Sequence, residues 1–133
     1  MKGSNSEREL LRMFWAKGWA CVRAAGSGAM RFPCPDLLAS NGERSLSIEC
    51  KSTAGRKRYI EAREVRELEK FSEKFGSEAW VGFRLNNIGW FFMRPSGLSE
   101  SRGGNYSVDK NLAVRDGLRF DELIGVYRQK RLS

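Results

Sequence analysis

Two stretches of the chain carry apolar residues at the spacing of an amphipathic helix. The first helix is predicted to begin at a Ser4 or Ser6 cap and to end at Lys17-Gly18. The second is predicted to run from about Ile60 to Phe75 and to stop at Gly76. Their apolar stripes are Leu10, Leu11, Phe14 and Trp15 in the first, and Val65, Leu68, Phe71 and Phe75 in the second.

Alternating apolar and polar residues predict strands between and after these helices. We expect a strand at 19–23, a hairpin at 36–51 around Asn41-Gly42, and a hairpin at 79–93 around Asn86-Asn87. Loops are predicted at 24–31, 52–58 and 96–111. The order helix, three strands, helix, two strands predicts an α/β fold with a mixed β-sheet flanked by helices. With 133 residues, the chain is expected to form a single domain over 1–133, with 126–133 as a flexible basic tail.

The first hairpin is predicted to bring two acidic residues and a lysine to one face of the sheet. Glu49 and Lys51 are two residues apart on a strand, so their side chains point to the same side. A two-residue turn at Asn41-Gly42 sets Asp36 opposite Ser47, which shares that side. Asp36 and Glu49 are then diagonal neighbours, with roughly 7–8 Å between their Cα atoms, and both carboxylates can reach one cation.

Such a set of side chains suits the hydrolysis of a phosphodiester. A divalent metal shields the anionic ester and lowers the pKa of bound water, and Mg²⁺ prefers carboxylate and carbonyl oxygens. Lys51 can orient the attacking water or stabilise charge on phosphorus. The alternative is structural: Asp36 starts a strand, and Glu49 and Lys51 form a solvated ion pair. A motif this short also arises by chance.

Glu7 is a third acidic residue that can join this set. At 100° per residue, it points along the centre of the first helix's apolar stripe and therefore faces the protein body. A carboxylate placed there is costly unless it is paired or lies near a metal. The alternative is that Glu7 completes a capping box with Ser4, and both interpretations stay open.

Composition narrows the chemistry and the partners. A formal net charge of +8 favours a polyanion as partner, although a basic protein without such a partner can carry the same charge. The chain contains no histidine, which excludes histidine triads, bases and metal ligands. Its three cysteines form no C-x-x-C pair, so a zinc site or a disulfide framework is disfavoured. A cytoplasmic protein without a membrane partner is expected, because neither a signal peptide nor a membrane-spanning run is seen.

Basic residues flank the acidic set and can contact phosphates. Each one alone is more typical of a solvated surface, but Arg56-Lys57-Arg58 follows Lys51 closely and is the strongest candidate for DNA contact. The loop Gly26-Ser27-Gly28 can bring backbone N–H groups near a phosphate. The basic candidates are Arg8, Arg23, Arg31, Arg56, Lys57 and Arg58.

Phe71 and Phe75 lie four residues apart on the second helix, so their rings share one face. Core packing is the default interpretation of such a pair. The alternative is a dimer face, where both rings meet a symmetry mate.

Taken together, these segments resemble the archaeal Holliday junction resolvases, a branch of the restriction-endonuclease-like, or PD-ExK, nucleases. The resemblance covers about 2–93. The matching segments are Lys2-Gly3, Glu7-Arg8-Glu9-Leu10, Val22-Arg23, Ala25-Gly26-Ser27, Asp36-Leu37, Ile48-Glu49-Cys50-Lys51, Phe71-Ser72, Phe75-Gly76 and Gly89-Trp90 with Phe92. The resemblance implies a homodimer that uses Mg²⁺, or Mn²⁺ as a substitute, to nick two opposing strands of a four-way DNA junction.

The resemblance also implies roles for single residues. Its catalytic positions match Glu7, Asp36, Glu49 and Lys51, and its DNA-binding or activity positions match Arg8, Arg23 and Ser27. Its dimer interface matches Phe71 and Phe75. On this basis the expected Mg²⁺ ligands are Asp36, Glu49, the Cys50 carbonyl, and Glu7 through a water or a second ion.

Three alternatives are kept beside this one. A related nuclease would cut another DNA structure, such as a flap or a damaged duplex. A non-catalytic module would bind junctions without cutting them, which the intact set of Asp36, Glu49 and Lys51 disfavours. An RNA-binding protein is the weakest alternative, because the aromatic-rich strand motifs of the commonest RNA-binding fold are missing.

Overall fold

The computed structural model describes residues 3–24 and 32–125 and contains helices on both faces of a sheet. Its elements are α1 (Gly3–Ala16), β1 (Ala20–Arg23), β2 (Leu37–Ser40), β3 (Ser45–Thr53), β4 (Lys57–Ile60), α2 (Ala62–Phe75), β5 (Glu78–Leu85), β6 (Gly89–Met93), β7 (Ser99–Glu100), β8 (Tyr106–Asp109), α3 (Lys110–Asp116) and α4 (Phe120–Leu123). The loop predicted at 24–31 is described only at Ala24, and the tail predicted at 126–133 lies outside the described residues. Every helix in the described part is too short or too polar to cross a membrane.

The main sheet has five strands in the order β1-β2-β3-β5-β6. β3 and β5 run parallel and are joined through α2, whereas the other neighbouring pairs are antiparallel. The prediction of a mixed sheet flanked by helices is therefore confirmed. A second sheet of three strands, β4-β8-β7, lies beside it.

Two apolar clusters cover the two faces of the main sheet. Leu10 and Phe14 of α1 are fully buried in one cluster, together with Ile48 of β3. Val65 and Leu68 of α2 are buried in the other. Because side chains alternate along a strand, the residues of β3 between these apolar positions point toward the α2 side. The acidic residue and the lysine of β3 therefore lie on the face that α2 covers.

The turn between β2 and β3 differs from its prediction. It spans residues 41–44, because the Asn41 side chain accepts the backbone N–H groups of the two residues that end the turn. The predicted two-residue turn at Asn41-Gly42 is therefore wrong, and the strand register moves by two residues. An even shift keeps every side chain on its face, so Asp36 stays on the side of Glu49. Continuing the observed register by one residue sets Asp36 directly opposite Glu49 rather than diagonal to it.

Two predicted loops contain strands that pair with distant parts of the chain. The stretch 52–58 includes the end of β3 and the start of β4, and Ile60 belongs to β4, so α2 begins later than predicted. The stretch 96–111 contains β7, β8 and the start of α3. The predicted helix stop at Gly76 is confirmed, because this glycine has φ 83° and its N–H bonds to the Ser72 carbonyl.

Candidate active site

Asp36 is fixed by hydrogen bonds at the point where three strands meet. Its backbone carbonyl accepts the N–H of Ala24 at 3.0 Å, just after β1. Its Oδ2 accepts the N–H of Cys50, on β3, at 2.8 Å. The carboxylate is thus aimed along the sheet toward the neighbouring Glu49, as the hairpin pattern predicts.

Asp36 and Glu49 form a half-buried pair of carboxylates. Burial and the adjacent Asp36 charge raise the pKa of Glu49 to about 8. Burial also raises the pKa of Asp36, with Glu7 adding to the rise and the Cys50 N–H opposing it. Two adjacent carboxylates that are partly shielded from water repel each other strongly when both are charged. The pair therefore requires either a shared proton or a cation at neutral pH.

Lys51 reaches across to α2 and binds a carboxylate that the sequence reasoning missed. Its Nζ donates to Glu64 Oε2 at 2.5 Å, and the two side chains are only 13% and 22% exposed. Burial acts to raise the pKa of Glu64, but the hydrogen bond and charge of Lys51 outweigh it and hold that pKa below its ordinary value. The available signal was the pattern Glu61-x-x-Glu64, which forms a capping box at the true start of α2.

Glu7 faces the protein body, as its place in the helical stripe predicts. Its Oε1 accepts the Arg23 Nε–H at 2.8 Å, and both side chains are largely buried. Glu7 remains close enough to Asp36 for its charge to raise the pKa of that carboxyl. The structure thus brings Asp36, Glu49 and Lys51 together and holds Glu7 beside them, paired with an arginine.

The oxygen ligands at this site suit a hard cation, although the described residues do not form a complete set of metal ligands. Across 3–24 and 32–125, no group of three or more carboxylates or thiols stands ready to hold a metal ion. A small cavity of about 30 Å³ is lined by Glu49, Glu64 and Glu67 together with Cys34 and Pro35. That volume accommodates a water molecule or a small ion. A carboxylate pair that favours a counter-charge, with such a space against its Glu49 member, fits Mg²⁺ with retained waters.

The predicted basic cluster lies at the start of β4. Arg56 and Lys57 are exposed, whereas Arg58 is half-buried and its Nε has no hydrogen-bond partner among the described residues. The Lys110 N–H donates to the Arg56 carbonyl at 2.9 Å, which brings a fourth cation to this surface. Sequence reasoning missed Lys110, because the stretch that contains it was predicted to be a loop.

The remaining predicted DNA-contacting residues are only partly described. Arg8 is exposed on α1, and Arg23 is engaged with Glu7. Ser27 and Arg31 lie outside the described residues. Among the predicted DNA-contacting residues that the structure describes, the exposed cations are Arg8 on α1 and Arg56 and Lys57 at the start of β4.

The two phenylalanines of α2 form an aromatic surface. Phe71 is half-buried and Phe75 is 57% exposed, with their rings stacked at 5.1 Å between centroids. Phe32, which is 73% exposed, and Pro33 join them around a groove of about 450 Å³. Core packing alone does not account for Phe75, since more than half of its surface faces outward.

Comparison with known proteins relates the whole chain to one group. A family model described as archaeal Holliday junction resolvase (Hjc) matches residues 1–132. A crossover junction endodeoxyribonuclease Hjc from Archaeoglobus fulgidus is 38% identical over 132 residues, covering 99% of this chain and 96% of its own length. The protein of the same name from Methanocaldococcus jannaschii is 34% identical, covering 99% and 93%. The solved structure of Archaeoglobus fulgidus Hjc, a Holliday junction resolvase, superposes with a TM-score of 0.86 at 36% identity, covering 92% of this chain and all of that one.

Proposed function

The chain belongs to the archaeal Holliday junction resolvase family, and we propose that it is a crossover junction endodeoxyribonuclease that makes paired, symmetric nicks in four-way DNA junctions. The observation that carries this proposal is the half-buried Asp36–Glu49 pair with Lys51 beside it. A protein that only binds DNA has no need to keep two carboxylates side by side where water screens them poorly. The same arrangement is of direct use to a metal-dependent nuclease.

The proposed cofactor is Mg²⁺, with Mn²⁺ as a substitute. Asp36, Glu49 and the Cys50 carbonyl would hold it, and Glu7 would contribute through a water or a second ion. The bound ion supplies charge shielding for the phosphodiester and activation of water. Support comes from the repulsion between Asp36 and Glu49 when both are charged. A dication bound between them would offset this repulsion and stabilise both carboxylates in their charged form.

The chain's own residues would carry the rest of the reaction. Lys51 would orient the attacking water in line with the leaving oxygen, so that cleavage leaves a 5′-phosphate and a 3′-hydroxyl. Arg23, whose Nε–H donates to Glu7, would hold that carboxylate beside the site. The remaining N–H groups of the guanidinium could bind a phosphate of the DNA.

We further propose a homodimer that binds the junction through its basic surfaces. Phe71 and Phe75 would form the dimer interface, because an exposed stacked aromatic pair on a helix suits burial against a symmetry mate. The proposed DNA-contacting residues are Arg8, Arg23, Ser27, Arg31, Arg56, Lys57 and Arg58. For Ser27 and Arg31 the proposal rests on the family resemblance alone.

A cleavage assay tests the proposal directly. An immobile four-way junction and a matched linear duplex would each be incubated with the protein in Mg²⁺ or in EDTA. We expect paired symmetric nicks on the junction only, absent in EDTA. Asp36→Asn should abolish cleavage while sparing junction binding. Equal cutting of the duplex would remove the junction specificity, and tight binding without cleavage in any divalent metal would contradict the proposed activity.

A further inference from the structure

The carboxylate of Glu64 lies in hydrogen-bond contact with Glu49, and its two oxygens also accept hydrogen bonds from two other residues. Oε2 accepts the hydrogen bond from Lys51 Nζ, and Oε1 accepts the backbone N–H of Glu61 at 3.3 Å, within the capping box of α2. One side chain thus ties the amine of the proposed catalytic lysine to the first turn of a helix. We propose that Glu64 is a positioning residue that holds Lys51 for strand cleavage, an inference that rests on the proposed nuclease function.

Lys51 needs such a restraint because of where it lies. A lysine side chain is flexible, and holding it in one geometry costs conformational entropy. Its charge also acts on Glu49 and Asp36, which attract it. An amine drawn into that pair would occupy the oxygens proposed to bind metal. Glu64 offers a competing carboxylate and keeps the amine beside the pair rather than within it.

Glu64 is itself well anchored. It lies in the first turn of α2, and the next turn is fixed by Val65 and Leu68, which are buried against the sheet. Glu61, at the preceding helical cap, is different: its side chain is 67% exposed and its charged partner is Arg63 at 3.6 Å. Of these two glutamates, only Glu64 therefore has the burial and the rigid support that a positioning role requires.

The matched variants are Glu64→Gln and Glu69→Gln. Both remove one negative charge from α2, but Glu69 is exposed to solvent. Glutamine retains an oxygen for the capping hydrogen bond, so Glu64→Gln is expected to fold. Glu64→Asp, which keeps the charge on a shorter side chain, is a second variant should Glu64→Gln lose stability, and thermal unfolding of each variant checks this.

Single-turnover cleavage at saturating enzyme separates positioning from binding. We expect Glu64→Gln to cut a four-way junction about 10- to 100-fold more slowly than wild type, because misplacing a reacting group by a short distance has effects of this size. Its Kd for the junction should change by less than about twofold, and Glu69→Gln should cut at the wild-type rate. In a Lys51→Ala background, Glu64→Gln should cause no further loss, because its effect passes through the lysine.

A second readout does not require cleavage. In the metal-free protein, the Lys51 ammonium protons should give a slowly exchanging ¹⁵N-correlated NMR signal in wild type and in Glu69→Gln, and the signal should be lost in Glu64→Gln. Retention of that signal in Glu64→Gln, or additive loss of cleavage in the double variant, would overturn the proposal. Weakening of Mg²⁺ binding to the same extent as in Glu49→Gln would overturn it as well, since Glu64 would then be a ligand. Absence of cleavage by wild type would instead refute the nuclease function, while the NMR comparison would still decide the Lys51–Glu64 contact.

Discussion

Raising the pH from 5 to 8 should destabilise the metal-free protein through Glu49. Its pKa is raised to about 8 in the folded state by burial and by Asp36, against an ordinary value of 4.5. Between those values the folded state keeps a proton that the unfolded state has lost. The free energy of unfolding therefore falls as pH rises.

The expected size of this effect follows from the pKa shift. Each pKa unit corresponds to about 1.4 kcal/mol, so three pH units inside the window give a loss of up to about 4 kcal/mol. The raised pKa of Asp36 acts in the same direction as that of Glu49. Few other side chains titrate between pH 5 and 8, since the chain has no histidine. Glu9 and Glu78 have lowered pKa values, and the stability they contribute is lost only at more acidic pH.

Urea unfolding followed by circular dichroism, in EDTA at each pH unit from 5 to 8, measures how the free energy of unfolding changes with pH. Glu49→Gln is the matched variant and should flatten the profile, because it keeps the shape of the side chain without the titration. Saturating Mg²⁺ should restore stability at pH 8 by about 2.7 kcal/mol when the ion stands at 100 times its Kd. Wild-type stability that stays constant or rises from pH 5 to 8 in EDTA would refute the description of Asp36 and Glu49 as an interacting pair that holds a proton in the folded state.

Three further predictions concern DNA binding, assembly and packing. Replacing Arg56 and Lys57 with alanine should reduce the slope of log K against log salt by about 2 per subunit, or about 4 for the proposed dimer, in a junction-binding titration. An unchanged slope would remove them from the interface. Phe75→Ala should convert a dimer into a monomer in analytical ultracentrifugation, whereas a monomeric wild type would contradict the proposed interface. Gly82→Ala places a Cβ 3.0 Å from the Phe92 ring and should lower the free energy of unfolding by about 1–3 kcal/mol in urea titrations. Gly103→Ala is its control, since the added Cβ meets nothing within 4 Å.

Local patterns were sufficient to predict the elements whose partners lie close in sequence. The alternation along β3 placed Glu49 and Lys51 on one face, and the stop at Gly76 was read from a single residue. The turn after β2 was mispredicted because its length is set by hydrogen bonds to the Asn41 side chain, which compete with the two-residue turn. The face of Asp36 was nevertheless correct, because the register error was even.

Contacts between distant segments were the part that sequence could not supply. β4 and β8 are four residues each and pair across 46 to 52 positions of sequence, so neither shows a pattern long enough to recognise. Glu64 was overlooked for a related reason, since the residue that gives it a role, Lys51, is 13 positions away on another element. The pairing of Glu7 with Arg23 likewise depends on how α1 lies across the end of β1.

The two ends of α2 connect features that would otherwise be independent. Near its start, Glu64 touches Lys51, and at its end Phe71 and Phe75 present their stacked rings. A helix of 14 residues is about 21 Å long and does not stretch. In a dimer joined through those rings, the two rigid α2 helices would hold the two active sites at a fixed distance from each other. A branched substrate would then be selected by the span between its two scissile phosphates, and one whose phosphates lie at another span would be cut on a single strand only.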